Sequence, residues 1–166
     1  MRILVVGTGV FPVPPPKGGG TETHIYYLVN EMAKLGHEVH LVSDVSDEGD
    51  FDRKVIIHHI NAPPASFKGG FVGWMGNHAI GGLFVAKSVL KLLRDCDIPF
   101  DIIHIHGRLS GLLASLISKN LMKLREPLVY TLHDTPPWYC FYESTIEKFI
   151  RYGAYRVMEL RTAKQV

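Results

Sequence analysis

The stretch Gly7–His24, GTGVFPVPPPKGGGTETH, decides how the rest of the chain is read. Before it, Ile3 to Val6 is a short apolar run rich in β-branched residues, the pattern of a central parallel strand buried on both faces. After it the period changes. Ile25, Leu28, Val29, Met32 and Leu35 recur at helical spacing, with Asn30, Glu31 and Lys34 on the other side, and Gly36 supplies a C-terminal cap. A strand leading through a glycine turn into a helix start is a ready anion site, because the first helical N–H groups have no intrahelical partner. Three glycines there are poor for stability unless something approaches the backbone closely.

The loop is not a dinucleotide fingerprint. Gly7-Thr8-Gly9-Val10-Phe11-Pro12 lacks the third glycine, and prolines at 12, 14, 15 and 16 forbid an immediate helix. No Gly-Lys-Ser/Thr follows, so it is not a nucleotide P-loop either. The remaining readings are a plain turn and a ligand loop, of which the ligand loop is favoured.

Working outward, Val39 to Val42 reads as a second strand and Val55 to Ile60 as a third, after an acidic turn over 44–52. Asn61 to His78 is rich in glycine and proline and reads as a long connection carrying Phe67, Phe71, Trp74 and Met75. A second helix is expected from Ile80 to Arg94, with Leu83, Ala86, Leu90 and Leu93 on its buried stripe. Asp101 to His106 gives a fourth strand, Leu109 to Lys123 a third helix, and Leu128 to Leu132 a fifth strand. Ser144 and Glu147 have the spacing of a capping box that opens a last helix. Strands alternating with helices imply a Rossmann-like α/β domain, a parallel sheet with helices on both faces. Ligands of such sheets bind beyond the C-terminal ends of the strands. The glycine turn, His104-Ile105-His106-Gly107 and Thr131-Leu132-His133-Asp134 all fall on that edge.

Composition narrows the class. At 166 residues the chain fits a single domain, 1–166, and 46% apolar with 20% charged residues is an ordinary globular balance. A net charge of +2 with dispersed Lys and Arg excludes nucleic acid as the main ligand. Two distant cysteines, Cys96 and Cys140, form no framework and suit a reducing compartment. No leader or membrane span is legible, so a cytoplasmic domain is expected. The aromatic residues of 61–78 have no basic amphipathic stretch beside them, which leaves membrane contact without support.

His104 and His106 lie on one face of their strand, a spacing that would suit a metal, but spacing places no third ligand. A hydrogen-bonding histidine at the cleft is the better reading. His133-Asp134 ends the fifth strand, where an imidazole can exchange a proton near neutral pH, or can simply cap a loop. Gly107 to Gly111 has the wrong spacing for a nucleophile elbow, so a hydrolase is discarded.

Taken in order, Arg2-Ile3-Leu4-Val5-Val6-Gly7, Gly18-Gly19-Gly20-Thr21-Glu22-Thr23-His24, Leu35-Gly36-His37-Glu38-Val39, Asp101 to Gly107 and Pro127 to Asp134 resemble the N-terminal domain of a family-four GT-B glycosyltransferase. That group comprises retaining, nucleotide-sugar-dependent enzymes. The resemblance implies one half of a GT-B architecture, with Gly18, Gly19, Gly20 and Glu22 on the donor or phosphate side. It implies a catalytic His133 beside the donor sugar, with His106, His24 and Asp134 lining the cleft towards the acceptor. It also implies no metal and no cofactor, the nucleotide-sugar being a co-substrate. Its partners would be that donor, a sugar or other hydroxyl acceptor, and a C-terminal nucleotide-binding domain that 1–166 does not contain. The isolated domain is then expected to be inactive. The alternatives are a non-catalytic sugar- or nucleotide-binding module and a GT-B nucleotide-sugar epimerase.

Overall fold

The computed structural model describes residues 1–63, 70–95, 99–107, 126–131 and 133. Five strands, β1 (Arg2–Val6), β2 (Glu38–Val42), β3 (Val55–His58), β4 (Ile102–Ile105) and β5 (Leu128–Tyr130), form one sheet in the order β3-β2-β1-β4-β5. Every pairing is parallel, with Val5 opposite both Leu41 and His104, and Ile105 opposite Tyr130. Two α-helices are described, α1 (Gly20–Lys34) and α2 (Gly70–Asp95), with a single 3-10 turn at Glu48–Asp50. Among the described residues no helix is long and apolar enough to cross a membrane.

Strand alternation divides the core in two. Leu4, Val6, Ile103 and Ile105 pack with Val85 and Val89 of α2, whereas Ile3, Val5, Val39 and Leu41 pack with Ile25, Val29 and Ala33 of α1. The helices therefore cover opposite faces of a Rossmann-like α/β sheet. The same alternation sends the even-numbered side chains of β4 to the α1 face, and those residues include His104.

Helix α1 ends as its sequence suggests. Gly36 has φ +92°, its N–H reaches Ala33 O, and His37 N–H reaches Met32 O, each at 3.0–3.1 Å. This paired closure needs a left-handed residue that glycine adopts without strain. Two residues depart from the expected stripe. Leu35, the C-cap, is 76% exposed, and Asn30 is buried, donating to Tyr26 O and accepting from Asp52 N.

Helix α2 corrects the sequence reading more substantially. It begins at Gly70, so much of the connection expected over 61–78 is helix. Glycine lowers helix propensity by about 1 kcal/mol against alanine, and a run of glycines therefore reads locally as loop. Packing overrides that preference here. A Cβ on Gly81 would lie 2.0 Å from Gly9 O, so the helix meets the loop after β1 backbone to backbone. This contact fixes the rotation of α2: Val85, Ala86 and Val89 are buried, and Leu83, expected inside, is 58% exposed. The helices expected over 109–123 and from 144 onward lie outside the described residues.

Candidate active site

The loop after β1 is held rather than slack. Val13 is fully buried, its N–H donates to Asp44 O at 2.8 Å, and its carbonyl accepts from Ser46 N. Ser46 Oγ donates to Pro14 O. The prolines thus carry the chain across the edge of β2 and deliver Gly18 and Gly19 to the start of α1, both with positive φ (+63° and +97°). Gly19 is the N-cap, has no side-chain cap, and accepts Thr23 N–H at 3.0 Å.

The three glycines are in different situations. A Cβ on Gly19 would sit 2.8 Å from Glu22 Oε2 and 3.1 Å from Pro15, whereas Cβ atoms on Gly18 or Gly20 would meet nothing within 4 Å among the described residues. Glu22, in the first turn of α1, is 4% exposed and accepts a hydrogen bond of 2.5 Å from Thr8 Oγ1. Thr8 Oγ1 in turn accepts Val10 N–H at 3.3 Å. Glu22 therefore braces the loop against the helix from beneath. Sequence reading placed it on the donor side and overlooked Thr8, whose only local signal is its position between Gly7 and Gly9.

One helical turn beyond Gly20, His24 extends from α1 towards the C-terminal edge of β4. There it meets His106 and His133, with ring centroids 5.6 and 5.1 Å away. His106 Nδ1 and His133 Nε2 share a hydrogen bond of 2.8 Å, and His104 lies against His106 at 4.2 Å between centroids. The backbone holds the group in register: His106 N–H donates to Val6 O and Thr131 N–H to Ile105 O, and Thr131 Oγ1 bonds His104 Nε2 at 2.7 Å. His104 was legible as a cleft histidine, but its contact with His106 and its Thr131 partner were not. Asp134 lies outside the described residues.

Two of these imidazoles, His106 and His104, are pushed towards the neutral form by their surroundings. Burial, reinforced by repulsion from His104, His133 and His24, pushes His106 down to about 2. Burial, then His24 and His133, also lowers His104. His106 is 3% exposed and its Nε2 has no hydrogen-bond partner. An orphaned lone pair is tolerated better than an orphaned N–H. The proton of His106 accordingly belongs on Nδ1, donated to His133 Nε2, which leaves the Nδ1–H of His133 as its donor.

A strand-to-helix glycine turn and a histidine cluster thus share the edge of the sheet where ligands of parallel α/β domains bind. The family described as Glycosyltransferase Family 4 matches residues 18–166. The chain belongs to that family. An alpha-monoglucosyldiacylglycerol synthase of Acholeplasma laidlawii is 29% identical over 150 residues, which cover 88% of this chain and 33% of that protein. Sucrose-phosphate synthase from Thermosynechococcus elongatus shares the fold, with a TM-score of 0.57 at 14% identity, over 93% of this chain and 39% of that one. The chain thus spans between a third and two-fifths of the length of these relatives. The span matched to the family begins at Gly18 and takes in the glycine turn and all four clustered histidines.

Proposed function

We propose that this chain is the acceptor-side, N-terminal half of a glycosyltransferase that moves a sugar from a nucleotide-sugar donor to a hydroxyl acceptor with retention of configuration. The observation that carries the reading is the convergence of His24, His106 and His133 beside the N-terminus of α1, within a member of Glycosyltransferase Family 4. In this reading the open backbone at Gly18 and Gly20 receives the donor's diphosphate or sugar. The uncapped first turn of α1 favours that negative charge. A C-terminal domain of the same protein holds the nucleotide and closes the other side of the cleft.

His133 acts at the sugar. Its imidazole, hydrogen-bonded to His106, hydrogen-bonds a sugar hydroxyl or ring oxygen, and aligning the sugar lowers the barrier to departure of the phosphate. His106 is the positioning residue that fixes this ring, and its neutral state persists at any working pH. His24, exposed on α1, faces the acceptor. No metal or cofactor takes part, and the cytoplasm supplies the donor.

The test is His133→Ala in the full-length protein, with transfer assayed and folding followed by circular dichroism. The expected result is a native spectrum with transfer reduced by roughly two orders of magnitude, the usual range for a single preorganised donor. Unchanged transfer would overturn the role of His133, and absence of any sugar transfer by the wild-type full-length protein would overturn the whole reading.

A further inference from the structure

The face of the sheet turned away from the histidine cluster carries a second set of polar groups that the transfer chemistry does not use. His58 pairs in register with Val42, which packs in the α2-side core, so alternation turns His58 and His40 towards α2. His40 is 4% exposed there and stands edge-on to Phe100, 5.0 Å between ring centroids. At the end of β3, the edge strand, His58 and His59 meet Ser88, Lys91, Leu92 and Asp95 of α2 around a pocket of about 240 Å³. Those four α2 residues recur at i, i+3, i+4 and i+7, a single stripe of the helix. We propose that this pocket binds one neutral sugar ring, as a free monosaccharide or as the terminal unit of a glycan.

A relay behind the pocket fixes what it offers a ligand. Glu38 accepts from His40 Nε2 and from Arg2 Nε, each at 2.8 Å, and these bonds hold its carboxyl below the usual carboxylate range. A carboxylate only accepts, so the proton of His40 is on Nε2 and its Nδ1 is bare. His58 therefore donates through Nε2 across the 2.9 Å contact and keeps Nδ1 as an acceptor. Burial, then His40 and Arg2, lower His58 and favour that neutral ring. Around it stand Ser88, which donates and accepts, Lys91, which only donates, and Asp95, which only accepts. Among the described residues no ion pair engages Lys91 or Asp95. Charge decides the ligand class. Lys91 is offset by Asp95 one turn further on and by Glu48, which holds His59 at 2.8 Å, so a phosphate or carboxylate gains little there. A sugar hydroxyl both donates and accepts, so a ring bearing several of them matches all four groups at once, while Leu92 meets its C–H face. The volume suits one ring, being smaller than the roughly 300–1,000 Å³ that drug-sized ligands occupy.

The test uses the full-length protein with carbon-13-labelled histidine, whose His58 and His59 ring signals are followed by NMR. Glucose, galactose, mannose, inorganic phosphate and alanine are titrated separately. At least one sugar should shift both signals saturably, with a Kd on the order of 1–10 mM for so small a ligand. Phosphate and alanine should move neither signal. Ser88→Ala and Lys91→Met alter half-buried and exposed helix positions that the fold does not depend on. Each should weaken the bound sugar about threefold to tenfold, the loss of one hydrogen bond. The methyl glycoside of that sugar separates the two sources: retained binding means that the end of a glycan fits the pocket, and lost binding means that only the free sugar does. The proposal is overturned if no sugar shifts His58, if phosphate or alanine shifts it in the sugar's place, or if both variants bind like wild type. His133→Ala should keep the shift, so loss of transfer and failure of this pocket are read separately.

Discussion

His106 and His133 face one another across the C-terminal edge of β4 and β5, Nδ1 to Nε2 at 2.8 Å, with His106 the more deeply buried partner. The consequence for stability has a definite sign. His106 is pushed from an ordinary 6.5 to about 2, and His104 and His58 are also lowered, in each case chiefly by burial. Below about pH 6.5 the unfolded chain takes up protons that the folded chain refuses, so stability is lost as the pH falls from there towards 2 and is unaffected by these groups above it. Each excluded proton contributes about 1.4 kcal/mol per pH unit inside that window. The urea midpoint should therefore drop between pH 7 and pH 5, and the drop should be smaller in His106→Asn. Equal drops in the two proteins would refute the assignment to His106.

The contact between Gly9 and Gly81 makes a second prediction, in which two effects oppose each other. Alanine at an exposed helix position gains about 1 kcal/mol over glycine. At Gly81 the added carbon would lie 2.0 Å from a backbone oxygen, which cannot turn aside as a side chain would. Overpacking of this kind typically destabilises by about 1–3 kcal/mol, and here it should win. Gly81→Ala should melt below wild type. A higher melting temperature would mean that α2 and the β1 loop are not in backbone contact.

The sheet was legible because its strands are buried on both faces and read as uninterrupted apolar runs, and α1 was legible because its stripe is regular. The start of α2 was not, since its glycines serve a contact with Gly9 that is 72 positions away and leaves no local trace. Leu83 was misplaced for the same reason: the stripe ending in Leu93 and the one through Val85 and Val89 are both periodic, and only the packing partner selects between them. The site was half legible. His104, His106 and His133 announce themselves at strand ends, but that His24 meets them depends on strand order, which no single motif states. Thr8 was invisible because its function is to hold Glu22.

That pair supplies a third prediction. The carboxyl of Glu22 is 4% exposed and its described donor is Thr8 Oγ1. Thr8→Val keeps the shape and removes the hydroxyl, so a buried acceptor loses its partner at a cost of about 1.5–3 kcal/mol. Adding Glu22→Gln to Thr8→Val removes the charge that was stranded, and the double variant should recover part of the loss. Additive destabilisation, measured by urea denaturation of all four proteins, would show that the two side chains do not act as a unit.

The three glycines before α1 can be separated by what each is for. Gly18 has φ +63° and open space, so Asn, which tolerates that backbone, should replace it with little loss of stability. Gly19 has φ +97° and is closed in by Glu22 and Pro15, so Gly19→Asn should lose stability through both strain and contact. Gly20 has neither constraint. Its φ is not positive and a Cβ would touch nothing within 4 Å among the described residues, so Gly20→Ala should leave stability equal or up to about 1 kcal/mol higher. A glycine that the fold does not require is then best explained by something that must come within a methyl group's radius of the backbone. Gly20→Ala in the full-length protein should accordingly raise KM for the sugar donor while thermal stability holds or improves. Unchanged donor kinetics in that variant would remove Gly20 from the donor site and leave Gly18 and Gly19 as parts of a turn.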